Sequence, residues 1–141
     1  MNHKIISIIL LLSLLGCYKT YPFKKTYSNN FEKKESYYKN GSLEFQSTYL
    51  DGKLEGLSKT WYADGSISSE TYYSNGLPHL EWKRYYNNGI IMHKVIYEYG
   101  NKNGLEIWYY ENGKIKSQQN FKNGNPTDDE IRWKPDGALI Y

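Results

Sequence analysis

The chain has a single cysteine, Cys17, in 141 residues, so no disulfide framework can form within it, and its three histidines leave little from which to build a zinc site. Surplus charge is also scarce. Lys+Arg 18 against Asp+Glu 15 leaves +3, too little to argue for a nucleic-acid partner. Long apolar runs are missing except near the N-terminus, where Ile5 to Leu15 is apolar apart from Ser7 and Ser13. As a helix that run would span about 16 Å at ~1.5 Å per residue, far short of a ~30 Å hydrocarbon core. It reads as the hydrophobic part of a signal helix over residues 1–17, not as a transmembrane segment. No G-x-S-x-G, H-E-x-x-H, P-loop or Ser/His/Asp spacing occurs. Neither His79 nor His93 has a carboxylate or thiol at ligand spacing, and Asp128-Asp129-Glu130 reads as a charged turn, not a calcium loop. The expectation is a chain with no catalytic residue, no metal and no cofactor. What it does have in quantity is aromatic residues, 17% of the total and 16 of them Tyr, too many for a disordered chain.

The end of the apolar run, Leu14-Leu15-Gly16-Cys17, resembles a bacterial lipobox, with Leu15 where a smaller residue is more usual. The resemblance implies an exported lipoprotein whose Cys17 carries the lipid. Two or three acyl chains at ~0.8 kcal/mol per buried CH₂ would anchor it stably to a membrane. Tyr18 in place of Asp at the next position implies the outer membrane where a host has two; otherwise the outer face of the cell membrane is expected. Residues 18–35, with Lys19, Lys24, Lys25, Lys33 and Lys34, read as a basic polar tether, either solvated or lying on anionic head groups.

From residue 36 to 141 the chain keeps time. Gly41, Gly65, Gly89, Gly113 and Gly137 recur every 24 residues, as do Gly52, Gly76, Gly100 and Gly124. A fixed period of this length is the mark of a repeat architecture. On the same clock run Tyr37, Trp61, Tyr85, Tyr109 and Trp133, then Tyr38, Tyr62, Tyr86 and Tyr110, then Leu43, Ile67, Ile91, Ile115 and Leu139. Four units and a truncated fifth are expected, each a β-hairpin turning at Asn-Gly or Asp-Gly. Short turns force antiparallel pairing. The fold class is therefore all-β: an elongated antiparallel meander of about nine or ten strands, preceded by the signal helix. The first turn is expected to be a two-residue type I′ loop. That loop sets Tyr62 opposite Ile67 on the buried face and sends Trp61 to the other; a three-residue loop with a bulge would exchange the two aromatic rows. The second turn, Asp51 to Gly56 in the first unit, is expected to be longer. By alternation, Leu43, Ile67, Ile91 and Ile115 should share one face with Ser47, Thr71, Val95 and Gln119 and with Tyr49, Tyr73, Tyr97 and Phe121.

Units such as Trp61-Tyr62-Ala63-Asp64-Gly65-Ser66-Ile67 and Trp108-Tyr109-Tyr110-Glu111-Asn112-Gly113-Lys114-Ile115 resemble the bacterial variant of the MORN repeat. The resemblance implies a hairpin array that binds partners without catalysis, and an antitoxin or immunity-type role in which the partner is a toxin. Leu80 and Asp128 depart from it, standing where the first and third units have Gly56 and Gly104. A cell-wall glycan is the rival partner, because glycan-binding repeats also carry Trp-Tyr strings, and a structural envelope spacer is the third reading. The row Tyr37, Trp61, Tyr85, Tyr109 and Trp133 can serve as a stacking platform or simply pack across strands. Aromatics that the repeat does not require are the better binding candidates: Trp82 and Trp108, then Tyr72 and Tyr99.

Overall fold

The structure, a computed structural model, describes residues 30–140. The signal segment, Cys17 and most of the tether lie outside the described residues. Thirteen strands form one sheet: β1 (Phe31–Tyr37), β2 (Leu43–Leu50), β3 (Lys53–Leu54), β4 (Gly56–Trp61), β5 (Ile67–Ser74), β6 (Leu77–Tyr85), β7 (Ile91–Glu98), β8 (Asn101–Lys102), β9 (Gly104–Tyr109), β10 (Ile115–Lys122), β11 (Asn125–Pro126), β12 (Ile131–Trp133) and β13 (Leu139–Ile140). Its path is β1-β2-β4-β5-β6-β7-β9-β10-β12-β13, with the short β3, β8 and β11 paired to β2, β7 and β10. All pairings are antiparallel. The path itself has the expected length; the three extra strands arise where a unit's returning strand is interrupted, beside Gly56 and Gly104 with φ +82° and +115°, and over residues 127–130. β1 begins at Phe31, so the stretch 31–35 assigned to the tether is an edge strand, with Phe31 to Glu35 paired to Leu50 through Gln46. Its charged residues, Glu32 to Glu35, suit an exposed edge, where they discourage pairing with other chains.

The turn geometry is the reverse of the expectation. In the first turn Gly41 N–H donates to Tyr38 O and Tyr38 N–H to Ser42 O, both at 2.9 Å, and the same pair of bonds recurs at Gly65, Gly89, Gly113 and Gly137. Only the glycine has positive φ there, +81° to +98°, while Asn40, Asp64, Asn88, Asn112 and Asp136 do not. This is a three-residue loop, a type I turn followed by a left-handed glycine. The Asn or Asp acts through its side chain instead, accepting the N–H two residues on at 2.8–3.1 Å. The second turn is the two-residue type I′ loop, with both residues left-handed: Asp51-Gly52, Asn75-Gly76, Tyr99-Gly100 and Asn123-Gly124.

Each of the first four three-residue turns is followed by a bulge, so that Trp61 pairs with Ile67 but Thr60 with Ser69. The bulged residues are Glu44, Ser68, Met92 and Lys116, again 24 apart. A bulge flips the alternation beyond it. The expected single row is therefore split. Leu43, Ile67, Ile91, Ile115 and Leu139 lie with Tyr37, Trp61, Tyr85, Tyr109 and Trp133 on one face, here face A. Ser47, Thr71, Val95 and Gln119, with Tyr49, Tyr73, Tyr97 and Phe121, lie on the other, face B, where Tyr62 and its equivalents also belong.

Among the described residues no second layer covers this sheet, and the buried hydrophobics are only Val95 and Ile107. The other buried residues, Ser47, Ser58, Thr71, His93, Glu106 and Ser117, run along the middle of face B. Cohesion comes from ladders between units. Tyr38, Tyr62, Tyr86 and Tyr110 each donate their hydroxyl to the carbonyl of Trp61, Tyr85, Tyr109 and Trp133, one unit on, at 2.5–2.8 Å. Asn40, Asn88 and Asn112 amides reach the carbonyls of Ala63, Glu111 and Pro135. At the opposite rim Gly76, Gly100 and Gly124 N–H groups donate back to Leu54, Pro78 and Lys102 carbonyls at 2.8–2.9 Å. Each such bond contributes about 1 kcal/mol, and the total grows with the number of units.

Candidate binding surfaces

The expected binding aromatics do not form one patch; the sheet separates them. Trp61, Tyr85, Tyr109 and Trp133 sit half-buried on face A, each opposite an aliphatic residue of the next strand. Only Tyr37, on the edge strand, is largely exposed. Tyr85 donates its hydroxyl to Glu70 at 2.8 Å. Burial first, and that carboxylate second, push the phenol up to about 12. Glu70 also pairs with Lys59 at 2.7 Å. This row behaves as cross-strand packing, as half-buried cross-strand pairs do.

Tyr72 lies on the same face but belongs to a different feature. With Leu57, Leu80, Glu70, Glu81 and Lys83 it lines a shallow cleft of about 390 Å³. Leu57, Tyr72 and Leu80 are all exposed there, as is neighbouring Ile96. Leu80 has φ +67°. A leucine in the left-handed region is strained by roughly 1–2 kcal/mol, and the first and third units avoid the strain with Gly56 and Gly104. At the fourth unit the backbone takes another route, and Asp128 instead accepts the Asn120 backbone and amide N–H groups, each at 2.8 Å.

Trp82 and Trp108 are on face B, on either side of His93. His93 is buried, stacks on Trp108 with centroids 3.9 Å apart, and meets Trp82 edge-on at 6.1 Å. Its Nε2 is 2.7 Å from Glu106 Oε1, and Lys102 Nζ reaches both oxygens of Glu106 at 2.7 Å. Burial holds the imidazole below its ordinary 6.5, against the pull of Glu106 and with help from Lys102 and Arg84. Burial thus outweighs the carboxylate that His93 shares with Lys102. The indole N–H of Trp82 is buried without a partner among the described residues. Sequence reasoning missed this trio because His93 and Glu106 lie 13 residues apart on non-consecutive strands; the 24-residue clock alone could not pair them. Tyr99 stands at the far rim, exposed, its ring stacked on His79 at 4.4 Å. Among the described residues no three His, Cys, Asp or Glu side chains gather to hold a metal.

The profile of the MORN repeat variant matches residues 33–51, 54–75, 78–99 and 102–123, more than half of the chain and in step with the hairpins. The chain belongs to the MORN repeat variant family. The first match opens inside β1, and the β12–β13 hairpin continues the MORN-variant geometry as the half-unit beyond the last match. No curated protein matches the chain. Among solved structures, the crystal structure of accessory secretory protein 1, 2 and 3 in Streptococcus pneumoniae is similar at 16% identity with a TM-score of 0.38. The match covers 65% of this MORN-variant chain and 17% of that one, a likeness too slight to bear on function.

Proposed function

We propose that this MORN-variant protein is a non-catalytic binding module that docks another protein through face A around Leu80, and that a lipid on Cys17 holds it at the cell envelope. The observation that carries the docking reading is Leu80 itself. A half-exposed leucine is kept in a left-handed conformation that glycine would satisfy, and it stands among exposed Leu57, Tyr72 and Ile96. Local strain combined with exposed apolar surface has no use in the repeat scaffold and suits a contact made with a partner. Glu81 and Lys83, paired at 2.6 Å, and Glu70 supply a charged border to this apolar centre, the arrangement of a protein interface. Capture of a toxin at the envelope, the role implied by the family resemblance, is the fuller form of this reading.

Replacing Leu80 with a photocrosslinking amino acid in the producing cell should trap one defined protein, and Leu57→Ala should reduce the yield. A crosslinker at Leu80 that traps nothing, while one at Trp108 does, overturns the assignment of face A. Leu80→Gly separates scaffold from docking. It should raise stability by up to about 1 kcal/mol and still weaken capture. The anchor is tested apart from this. The wild-type chain should take up radioactive fatty acid, and a Cys17→Ser variant that remains labelled refutes the lipid site.

A further inference from the structure

Beyond Trp108, face B opens into a cleft of about 550 Å³, lined on that face by Trp108, Tyr110, Lys116, Ser117, Glu130 and Arg132. Its volume lies in the range of small-ligand sites, roughly 300–1,000 Å³. The residues that shape it break the repeat. Trp108 occupies the slot of Ser36, Thr60 and Arg84 in the earlier units, and Ser117 that of Phe45, Ser69 and His93. Across the strands His93, Trp108, Ser117 and Arg132 follow one another in register on the same face. His93 covers one side of the Trp108 indole. On the other side the next strand offers only the small Ser117, so the indole looks across two strand spacings of ~4.8 Å to Arg132. A gap of that width between an aromatic wall and a guanidinium accepts one flat ring.

The polar end of the cleft selects among flat rings. Arg132 directs Nε, at 2.7 Å, and Nη2 at the same oxygen of Glu130, Oε2. The pair cancels its own charge, so a ligand carboxylate or phosphate would have to displace Glu130. What the pair still presents is Oε1 of Glu130 as an acceptor and the remaining guanidinium N–H groups as donors, with the Ser117 hydroxyl beside the carboxylate in the same lining. Lys116, its ammonium 5.8 Å from the centre of the Tyr110 ring, keeps its charge at the side of the cleft and adds a further donor there. A neutral pyranose ring has the matching features: a C–H face for the indole and a rim of hydroxyls that both donate and accept. We infer that this cleft is a saccharide-binding subsite, in which Trp108 stacks one sugar ring and the Glu130–Arg132 pair, with Ser117, holds its hydroxyls. The subsite is separate from the docking face and does not depend on it.

The test titrates the full chain with chitotriose, cellotriose and maltotriose, followed by tryptophan fluorescence and calorimetry. At least one should bind saturably and change the indole emission. Arg132→Met, at a side chain 64% exposed and carrying little of the fold, should weaken that binding about tenfold. Trp108→Ala should abolish it, and Leu80→Gly should leave it unchanged. Absence of saturable binding with all three sugars overturns the proposal. So does sugar binding that is unaffected by Arg132→Met, whether or not Trp108→Ala folds. Tighter binding of inorganic phosphate than of any sugar would replace it with an anion site.

Discussion

The turn-bearing rims of this sheet and the middle of its face B are built from the same 24-residue copies, yet they obey different rules. At the rims the copies are nearly identical. The tyrosine and asparagine ladders of one rim and the glycine N–H ladder of the other make the same bonds in unit after unit. In the middle of face B equivalent slots hold unlike residues. Ser58, Trp82 and Glu106 share one slot, and each has different partners: the Ser47 hydroxyl, the edge of His93, and the Lys102 ammonium. The rims bind unit to unit, so any departure breaks a bond with a neighbour. The middle only has to be filled and satisfied, which leaves it free to differ, and the cleft beside Trp108 lies where it does differ.

That contrast can be broken by mutation. The largest effect is expected at Glu106→Ala, which strips buried His93 and half-buried Lys102 of their shared carboxylate. It should cost about 2–3 kcal/mol in urea denaturation, whereas Ser58→Ala in the equivalent slot should cost about 1 kcal/mol. Equal losses would mean that the slot, not its occupant, matters. At the rim, Gly65→Ala puts a Cβ into open space at φ +91°, so its cost is conformational alone and should be about 1–2 kcal/mol. The same substitution at Gly89 should match it, because the geometry is repeated. Tyr86→Phe removes a single ladder bond and should cost about 1 kcal/mol, and the loss should resemble that of Tyr62→Phe. The smallest effect is the pH dependence of the trio. Burial holds His93 below 6.5, so the unfolded chain takes up a proton first as the pH falls. The contribution of neutral His93 is complete above about 6.5 and declines as the pH drops from there to the depressed folded value. Melting temperatures at pH 7.5 and 5.5 should differ less in His93→Gln than in the wild type.

Much of the scaffold is legible in the chain alone, because glycine spacing and strand-length runs are local properties. The hairpins, their number and their antiparallel order needed nothing more. The choice between turn types was less legible, since Asn-Gly serves both. One local clue existed: Pro135 precedes Asp136-Gly137. A two-residue loop would require the N–H that Pro135 lacks, while the three-residue loop uses Lys134 N–H, bonded to Ala138 O at 2.8 Å. The recurring bulge left no clue of its own in the chain, and it moved Thr71 and Val95 to the face opposite Ile67 and Ile91.

By itself, then, the sequence determined the unit and its period, because both depend on residues close along the chain. Which side chains share a face, which carboxylate meets His93, and which gap opens beside Trp108 were decided only in the assembled sheet. The physical reason is register. A one-residue slip at a bulge reverses every side chain beyond it, and contacts across strands depend on the sum of such slips.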